Sequence, residues 1–315
     1  MTAGAPAAAH AQAPVPPGTP PAPVPVQTQM TLTVQRAGGT RATALTGAHL
    51  RVHGATGAFV PGEVVTVRFF IAGRKRAARR IALQPGADGG GAFAVAYTPR
   101  RTGTLVVSAT HEATPALGAF VAKARAVDVI PRRVLPRSGG AAVRALQRRL
   151  RRLGYVTGAS GSFDARTARA VLAFRKVAGM ARSTSASRGV MRAIARGAGH
   201  FAIRFGSHGR HIEADLSHQV IALIQGGRVR RIYPVSSGKP STPTVRGSFK
   251  VYSKTPGTNA KGMVDSAYFF GAYATHGYFQ VPTFAASHGC LRVPIADARS
   301  LFDWIVIGTP VDVYR

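Results

Sequence analysis

Across 315 residues the sequence has a single cysteine, Cys290, a single tryptophan and eleven carboxylates. One thiol excludes an internal disulfide and a multi-cysteine metal site. It leaves a small buried hydrophobe or a reactive nucleophile. The carboxylates do not cluster as an acid/base pair, which excludes glycosidase-type chemistry. No apolar run reaches the roughly 20 residues that a membrane-spanning helix needs. The N-terminal residues lack a charged region followed by an apolar one, yet Ala9-His10-Ala11 has the small-x-small form of a cleavage site, so a signal segment is expected upstream of Met1. Against the few carboxylates stand 42 Lys and Arg, for a net charge of +31. Such a field attracts polyanions: nucleic acid, anionic membrane or an acidic wall polymer. No helix-turn-helix, zinc-finger or RNP-like signature supports specific nucleic-acid binding. The excess of Arg beside Ala, Gly and Pro reads in part as compositional bias and a solvated basic surface.

What is present changes character along the chain. Residues 1–28 are Ala/Pro-rich, and Pro14-Val15-Pro16-Pro17 and Pro20-Pro21-Ala22-Pro23 predict a disordered, extended linker. Over 29–130, Thr31–Val34, Leu50–His53, Val64–Ile71, Ala92–Tyr97 and Thr104–Ala109 read as short strands. Pro61-Gly62, Pro85-Gly86, Gly89-Gly90-Gly91 and Thr102-Gly103 separate them, which predicts an all-β sandwich. Val64–Arg68 after Pro61-Gly62 resembles bacterial immunoglobulin-like modules, implying a spacer or binding module without chemistry of its own. His49 and His53 fall near one strand and read as solvated.

Over 131–198 the period becomes helical. Val143, Leu146, Leu150 and Leu153 share one face; Asp164 is placed to cap a second helix with Ala170, Val171 and Phe174 inward; Ser187 starts a third that buries Val190, Met191 and Ile194. Val143, Leu146-Gln147, Leu150, Leu153-Gly154-Tyr155, Gly161, Phe163-Asp164, Thr167, Ala170-Val171 and Phe174 resemble the peptidoglycan-binding type 1 domain. From Gly179 to Gly189 the resemblance lapses: Arg182-Ser183-Thr184 replaces an Asp-Gly element. The resemblance implies contact with the wall. The eight arginines from Arg132 to Arg152 read either as partners of wall anions or as one solvated helical face.

Over 199–315 strands return at Ile212–Leu216, Gln219–Ile224 and Val229–Val235, with Gly226-Gly227 predicting a hairpin between the last two. Phe249–Ser253, Ala267–Ala274 and Val311–Tyr314 read as further strands. Ile295, Ala298, Leu301, Phe302 and Ile305 fit one amphipathic helix ended by Gly308. Within this region Cys290 lies in Ser287-His288-Gly289-Cys290-Leu291-Arg292, and His276 precedes it in Thr275-His276-Gly277. A free cysteine is by itself most often buried and inert. A histidine base and a glycine that admits backbone N–H groups to a substrate point instead to a nucleophile.

These motifs, in this order, resemble the YkuD-type L,D-transpeptidase catalytic domain. Asp215-Leu216-Ser217-His218-Gln219 is similar to the family's early Asp-Leu-Ser-x-Gln element. Ser236-Ser237-Gly238, Thr242-Pro243-Thr244 and Gly247-Ser248-Phe249 are similar to its Ser-x-Gly and Thr-Pro-Thr segments. The resemblance runs from Ile212 to Tyr314. Two features depart from it: only ten residues separate His276 from Ser287, predicting a short pocket loop, and Val245-Arg246 follow the Thr-Pro-Thr element.

The fold class expected is multidomain and mainly β: an Ig-like β-sandwich (29–130), a small three-helix bundle (131–198) and a mixed, β-rich YkuD-like catalytic domain (199–315). The resemblance implies Cys290 as nucleophile and His276 as base, forming a thiolate–imidazolium pair, with a backbone carbonyl near Gly277 orienting the imidazole. It implies an oxyanion hole from the N–H groups of Gly289 and Cys290, each donor worth about 3 kcal/mol in comparable sites. Arg292 is the candidate anchor for a substrate carboxylate. Ser287 is a substrate-side residue with a local hydrogen bond, and His288 supports the pocket or acts as a second base. The partners implied are peptidoglycan stem peptides, with anionic wall polymers added by the charge. Cys290 would expel D-Ala from a stem peptide, and an amine would resolve the thioester as a 3→3 cross-link. No cofactor or metal is required, and the location is extracytoplasmic, a setting that disfavours a second thiol. Water as acceptor gives an L,D-carboxypeptidase or another wall-peptide cysteine hydrolase; a non-catalytic wall-binding protein is the remaining reading. His208, His211 and Glu213, with Ser207-His208-Gly209 echoing Ser287-His288-Gly289, match no zinc spacing and read as linker residues.

Overall fold

The computed structural model describes residues 24–36 and 43–315. The linker expected over 1–23, with Ala9-His10-Ala11, lies outside the described residues. Residues 24–28, expected to belong to that linker, are tied down: Val26 pairs with Leu117 through a backbone bridge.

The N-terminal region is a sandwich of two sheets. One has the order β1 (Met30–Arg36), β3 (Leu50–Thr56), β7 (Gly91–Tyr97), β6 (Gln84–Pro85). The other runs β2 (Thr43–Leu45), β10 (Val127–Ile130), β8 (Gly103–His111), β4 (Val64–Ile71), β5 (Arg74–Ala82), with β9 (Phe120–Lys123) also on β8. Strict alternation in β4 and β8 buries Val65, Val67, Phe69, Leu105 and Val107 between the sheets, facing Leu50, Val52 and Phe93. β5 carries Arg74, Lys75, Arg76, Arg79 and Arg80, all exposed. Its pattern lacks a hydrophobic face, so charge hid it as a strand; it survives as an edge that pairs only with β4.

Three helices follow: α1 (Ala141–Arg152), α2 (Ala165–Val177) and α3 (Arg188–Ala195). Asp164 caps α2, its carboxylate accepting the Thr167 N–H at 2.7 Å, and Ser187 caps α3 by accepting from Val190 N–H. Their buried faces do not close on themselves. Val143, Leu146, Leu150, Phe174 and Ile194 share one core with Val220, Ala222, Ile224 and Ile232 of the following region. A backbone bridge from Tyr155 to Ile232 and a hydrogen bond from the Tyr155 hydroxyl to the Gly199 carbonyl, at 2.7 Å, reinforce the join. The boundary expected at 198/199 therefore separates sequence modules but not hydrophobic cores.

The C-terminal region has two sheets. The first is β13 (Arg228–Pro234), β12 (Val220–Gln225), β11 (His211–Asp215), β19 (Pro310–Tyr314), β14 (Gly247–Lys250). The second is β15 (Ser253–Thr258), β16 (Val264–Phe270), β17 (Tyr273–Tyr278), β18 (Leu291–Pro294), and α4 (Ile295–Trp304) packs behind it. Gly226 and Gly227, both at positive φ, close the expected β12–β13 hairpin. Three expectations shift. The run read as Phe249–Ser253 divides between β14 and β15. The run read as Ala267–Ala274 is a hairpin turning at Gly271 (φ 45°) and Ala272, because aromatics on both sides mask the turn. Helix α4 stops at Trp304, and Gly308 (φ 86°) forms the next turn. His211 and Glu213, read as linker, are fully buried in β11. Glu213 accepts from the N–H groups of Arg204 and Phe205 and from Tyr314 Oη, and His211 Nε2 lies 3.2 Å from it. His208 Nδ1 lies 3.0 Å from Asp312.

Candidate active site

Parallel pairing of β17 with β18 assembles the site. Thr275 faces Leu291, His276 faces Arg292 and Gly277 faces Val293. Thr275 and Leu291 are buried, and Leu291 and Val293 belong to the core with Ala298 of α4. Side chains alternate along a strand, so His276 and Arg292 project to the opposite face, and Cys290 stands in the bend immediately before β18, within reach of the Arg292 charge. Only Gly fits at 277. A Cβ there would lie 2.6 Å from Ala298 Cβ and 3.2 Å from Ile295 Cα, so α4 presses directly on the strand that carries the base.

The His276 ring is buried, and its Nδ1 donates to the Gly277 carbonyl at 2.9 Å. That bond leaves Nε2 as the basic nitrogen, the orientation expected from sequence. The ring meets Tyr278 edge-on at 5.7 Å, and Tyr278 in turn carries the Arg292 guanidinium 4.2 Å above its ring. Among the described residues no carboxylate pairs with Arg292. Burial pushes the His276 imidazole below its ordinary range, against the opposing pull of the Gly277 carbonyl, and Arg292 adds to the lowering. Burial pushes the Cys290 thiol up, while the Ala274 N–H, Arg292 and Lys261 favour the thiolate. For each group the leading cause, burial, opposes ionisation and so works against the thiolate–imidazolium pair expected from sequence. The Cys290 Sγ points its proton toward the Ala272 carbonyl at 3.5 Å.

The loop that presents Cys290 is held by hydrogen bonds. Ser287 is buried; its hydroxyl donates to the Cys290 carbonyl at 2.6 Å and accepts the Gly289 N–H at 3.0 Å. The local hydrogen bond expected of Ser287 is present and turns its hydroxyl into the loop, and the Gly289 N–H, expected as an oxyanion donor, is bonded to Ser287 Oγ. The Cys290 N–H has no partner among the described residues. Gly289 is required for another reason: its φ is 118°, and a Cβ would sit 2.5 Å from the Tyr273 ring. His288 is exposed, with no hydrogen bond among the described residues, and stands at the rim.

The upstream motifs turn out to be the platform for this loop. Asp215 accepts the His218 N–H at 2.9 Å, closing a turn that holds Gln219 at φ 56°. Gln219 then accepts the Ser237 N–H and donates to Ser237 Oγ. The Ser237 carbonyl receives the N–H groups of Ala286 and Ser287. Thr244 Oγ1 accepts the Gly238 N–H at 2.8 Å and donates to the Gly289 carbonyl at 2.7 Å; Thr242 Oγ1 donates to the Ser287 carbonyl at 3.0 Å. Gly238 is tight: a Cβ would lie 2.2 Å from the Thr242 carbonyl oxygen. Sequence reasoning identified these motifs but not their task, because the nucleophile loop that Thr242 and Thr244 hold lies 45 residues away. The Ala274 N–H left no trace at all, since any residue supplies a backbone donor.

A thiol and an oriented imidazole that both feel one cation, Arg292, are the equipment of a cysteine acyl-transfer centre. The comparisons agree. The family model for the YkuD L,D-transpeptidase catalytic domain matches residues 209–313, and that for a peptidoglycan binding domain matches 139–193. The crystal structure of an L,D-transpeptidase (residues 123-326) from Xylanimonas cellulosilytica is 36% identical, covers 58% of this chain and 97% of that one, and superposes with a TM-score of 0.54. L,D-transpeptidase 1 of Mycobacterium tuberculosis is 29% identical over 32% of this chain. The match takes in 48% of that relative, about half its length. The chain belongs to the L,D-transpeptidase family, with a peptidoglycan-binding module ahead of its catalytic domain.

Proposed function

We propose that the protein is a peptidoglycan L,D-transpeptidase acting through Cys290. The observation that carries this reading is the pairing of His276 with Arg292 across β17 and β18, directly after Cys290, with the imidazole fixed by the Gly277 carbonyl. Arg292 anchors a carboxylate of the stem peptide. His276 Nε2 takes the thiol proton as Sγ attacks the peptide carbonyl; the C–S bond forms, and the carbonyl oxygen becomes an oxyanion near the Cys290 N–H. Collapse breaks the C–N bond, and His276 returns the proton to the departing D-Ala amine. An acceptor amine then attacks the thioester with the same base, which gives the cross-link, a 3→3 bond if the acceptor is a stem diamino acid. With water as acceptor the same centre is an L,D-carboxypeptidase.

The basic sandwich edge supports a second contact, with anionic wall polymers: Arg74, Lys75, Arg76, Arg79 and Arg80 are exposed and enter no ion pair among the described residues. Work on the wall places the protein outside the cytoplasm, and no helix among the described residues is long and apolar enough to cross a membrane. Mass spectrometry after incubation with a carbapenem, and separately with a purified tetrapeptide, tests the enzyme reading. A covalent adduct at Cys290 and loss of D-Ala are expected. Absence of both adduct and D-Ala release from folded protein would overturn it, and product masses separate dimer formation from hydrolysis.

A further inference from the structure

Helix α2 of the peptidoglycan-binding module ends in a lysine that should not be buried. Lys176 is 2% exposed, and its Nζ donates to the carbonyls of Gln219 at 3.0 Å and Val235 at 2.8 Å. No carboxylate pairs with it among the described residues. Burying an unpaired lysine is costly, so its bonds must be structural: they clamp the Val235 carbonyl to the Gln219 carbonyl, which also accepts the Val235 N–H at 3.0 Å. Both acceptors belong to the platform of the nucleophile loop. The Gln219 side chain binds Ser237 at both N–H and Oγ, Ser237 receives Ala286 and Ser287, and Ser287 fixes Cys290 and Gly289.

Two more cations of the same module grip neighbouring parts of the site. Arg182 donates to the Thr283 carbonyl and the Ser217 carbonyl, each at 2.9 Å. Thr283 lies in the short loop between His276 and Ser287, and Ser217 lies in the turn that positions Gln219. Arg182 stands where the sequence abandons the pattern of the binding-domain family. Arg169 makes a two-pronged ion pair with buried Asp297, at 2.6 and 2.9 Å. Asp297 belongs to α4, the helix that presses on Gly277. A hollow of about 290 Å³ between the modules, lined by Leu172, Pro234, Phe279 and Pro282 among others, reaches Tyr278, which touches both His276 and Arg292.

We infer that Lys176, seconded by Arg182, is a positioning residue for the Cys290 loop, so that the helical module is a structural part of the catalytic unit and not only an anchor. The inference rests on the transpeptidase reading for its reaction, but not for its geometry.

The test uses the full chain with Lys176→Met and Arg182→Ala. Carbapenem acylation of Cys290 and D-Ala release are followed beside melting curves and pull-down on insoluble peptidoglycan. Misplacing a reacting group by about 1 Å costs on the order of 100-fold; a partial shift predicts a loss of about tenfold in kcat for Lys176→Met and severalfold for Arg182→Ala. KM and pull-down should stay within about twofold in the terms of uniform substrate binding. The pH profile of Cys290 alkylation by iodoacetamide should also shift in both variants, because the Ala274 N–H and Arg292 lose their placement against the sulfur. Folded variants with wild-type kcat and an unchanged alkylation profile would overturn the proposal. Arg182 is exposed, so its variant decides the matter if Lys176→Met fails to fold. If the wild type itself is not acylated, the transpeptidase reading fails, while the alkylation profiles still decide the positioning role.

Discussion

Two threonines, one residue apart, should behave very differently when their hydroxyls are removed. Thr244 is 5% exposed, and its hydroxyl is the one partner recorded for two buried groups, the Gly238 N–H and the Gly289 carbonyl. Thr244→Val keeps the shape and removes both bonds. An unsatisfied buried donor or acceptor costs about 1–3 kcal/mol, so the loss of both partners should cost about 2–6 kcal/mol. Thr242 also reaches the nucleophile loop, at the Ser287 carbonyl, but that oxygen accepts the Lys239 N–H at 3.0 Å as well. Thr242→Val leaves the carbonyl satisfied and should cost about 0.5–1 kcal/mol, the net worth of one hydrogen bond. Denaturant midpoints at constant slope measure the stabilities, and carbapenem acylation measures the site. Acylation should fall further in Thr244→Val than stability explains at low denaturant, since Gly289 precedes the nucleophile. Equal costs for the two variants, or a Thr244→Val protein as stable and as fast as wild type, would refute the platform argument.

Further outcomes follow from the same geometry. Cys290→Ala should abolish adduct formation and leave pull-down on peptidoglycan intact, read by mass spectrometry and sedimentation. Gly289→Ala meets both a positive φ and the Tyr273 ring, so it should lose stability by at least the roughly 1 kcal/mol of a left-handed non-glycine residue, and lose most acylation. The acylation rate should fall as pH drops through the His276 value, which burial holds below 6.5, because the base must be neutral; a stopped-flow pH profile with its acid limb above 6.5 contradicts the burial argument. Lys176 is pushed down to about 7 by burial, with Arg182 adding to the effect. Its folded value lies below its unfolded one, so the unfolded chain binds more protons between about 7 and 10.5, and stability gains with rising pH across that window; Lys176→Met should flatten the gain in melts at successive pH values. Asp297→Asn strips the partner from Arg169 and should cost about 3 kcal/mol, with the junction between modules loosening first under limited proteolysis.

Local rules made much of the protein legible. Asp164 and Ser187 cap helices because a short polar side chain before an apolar helical period has little else to do. Gly226-Gly227 turns a hairpin because only glycine accepts two successive positive φ angles at no cost. Cys290, His276, Gly289 and Arg292 were found because a lone thiol in a glycine-flanked motif with an upstream histidine is specific to few chemistries. The failures are equally local. β5 was hidden because arginines on both faces erase a strand's period, and the turn at Gly271 was hidden by aromatics on either side.

The sequence alone pointed to the modules, to Cys290 and His276 as the proposed nucleophile and base, and to the L,D-transpeptidase family, since these readings depend on residue type and short spacing. Tertiary structure alone decided which backbone groups serve the chemistry. It occupied the Gly289 N–H, turned Ser287 inward, brought the Ala274 N–H to the sulfur and, by burying both groups, shifted the His276 imidazole down and the Cys290 thiol up. It also joined two modules through one core and three cations, with Lys176 reaching carbonyls 43 and 59 residues away. Hydrogen bonds to main-chain oxygens carry no residue code, and a shared core has the same periodicity as two separate ones. Both become visible only once distant strands and helices stand side by side.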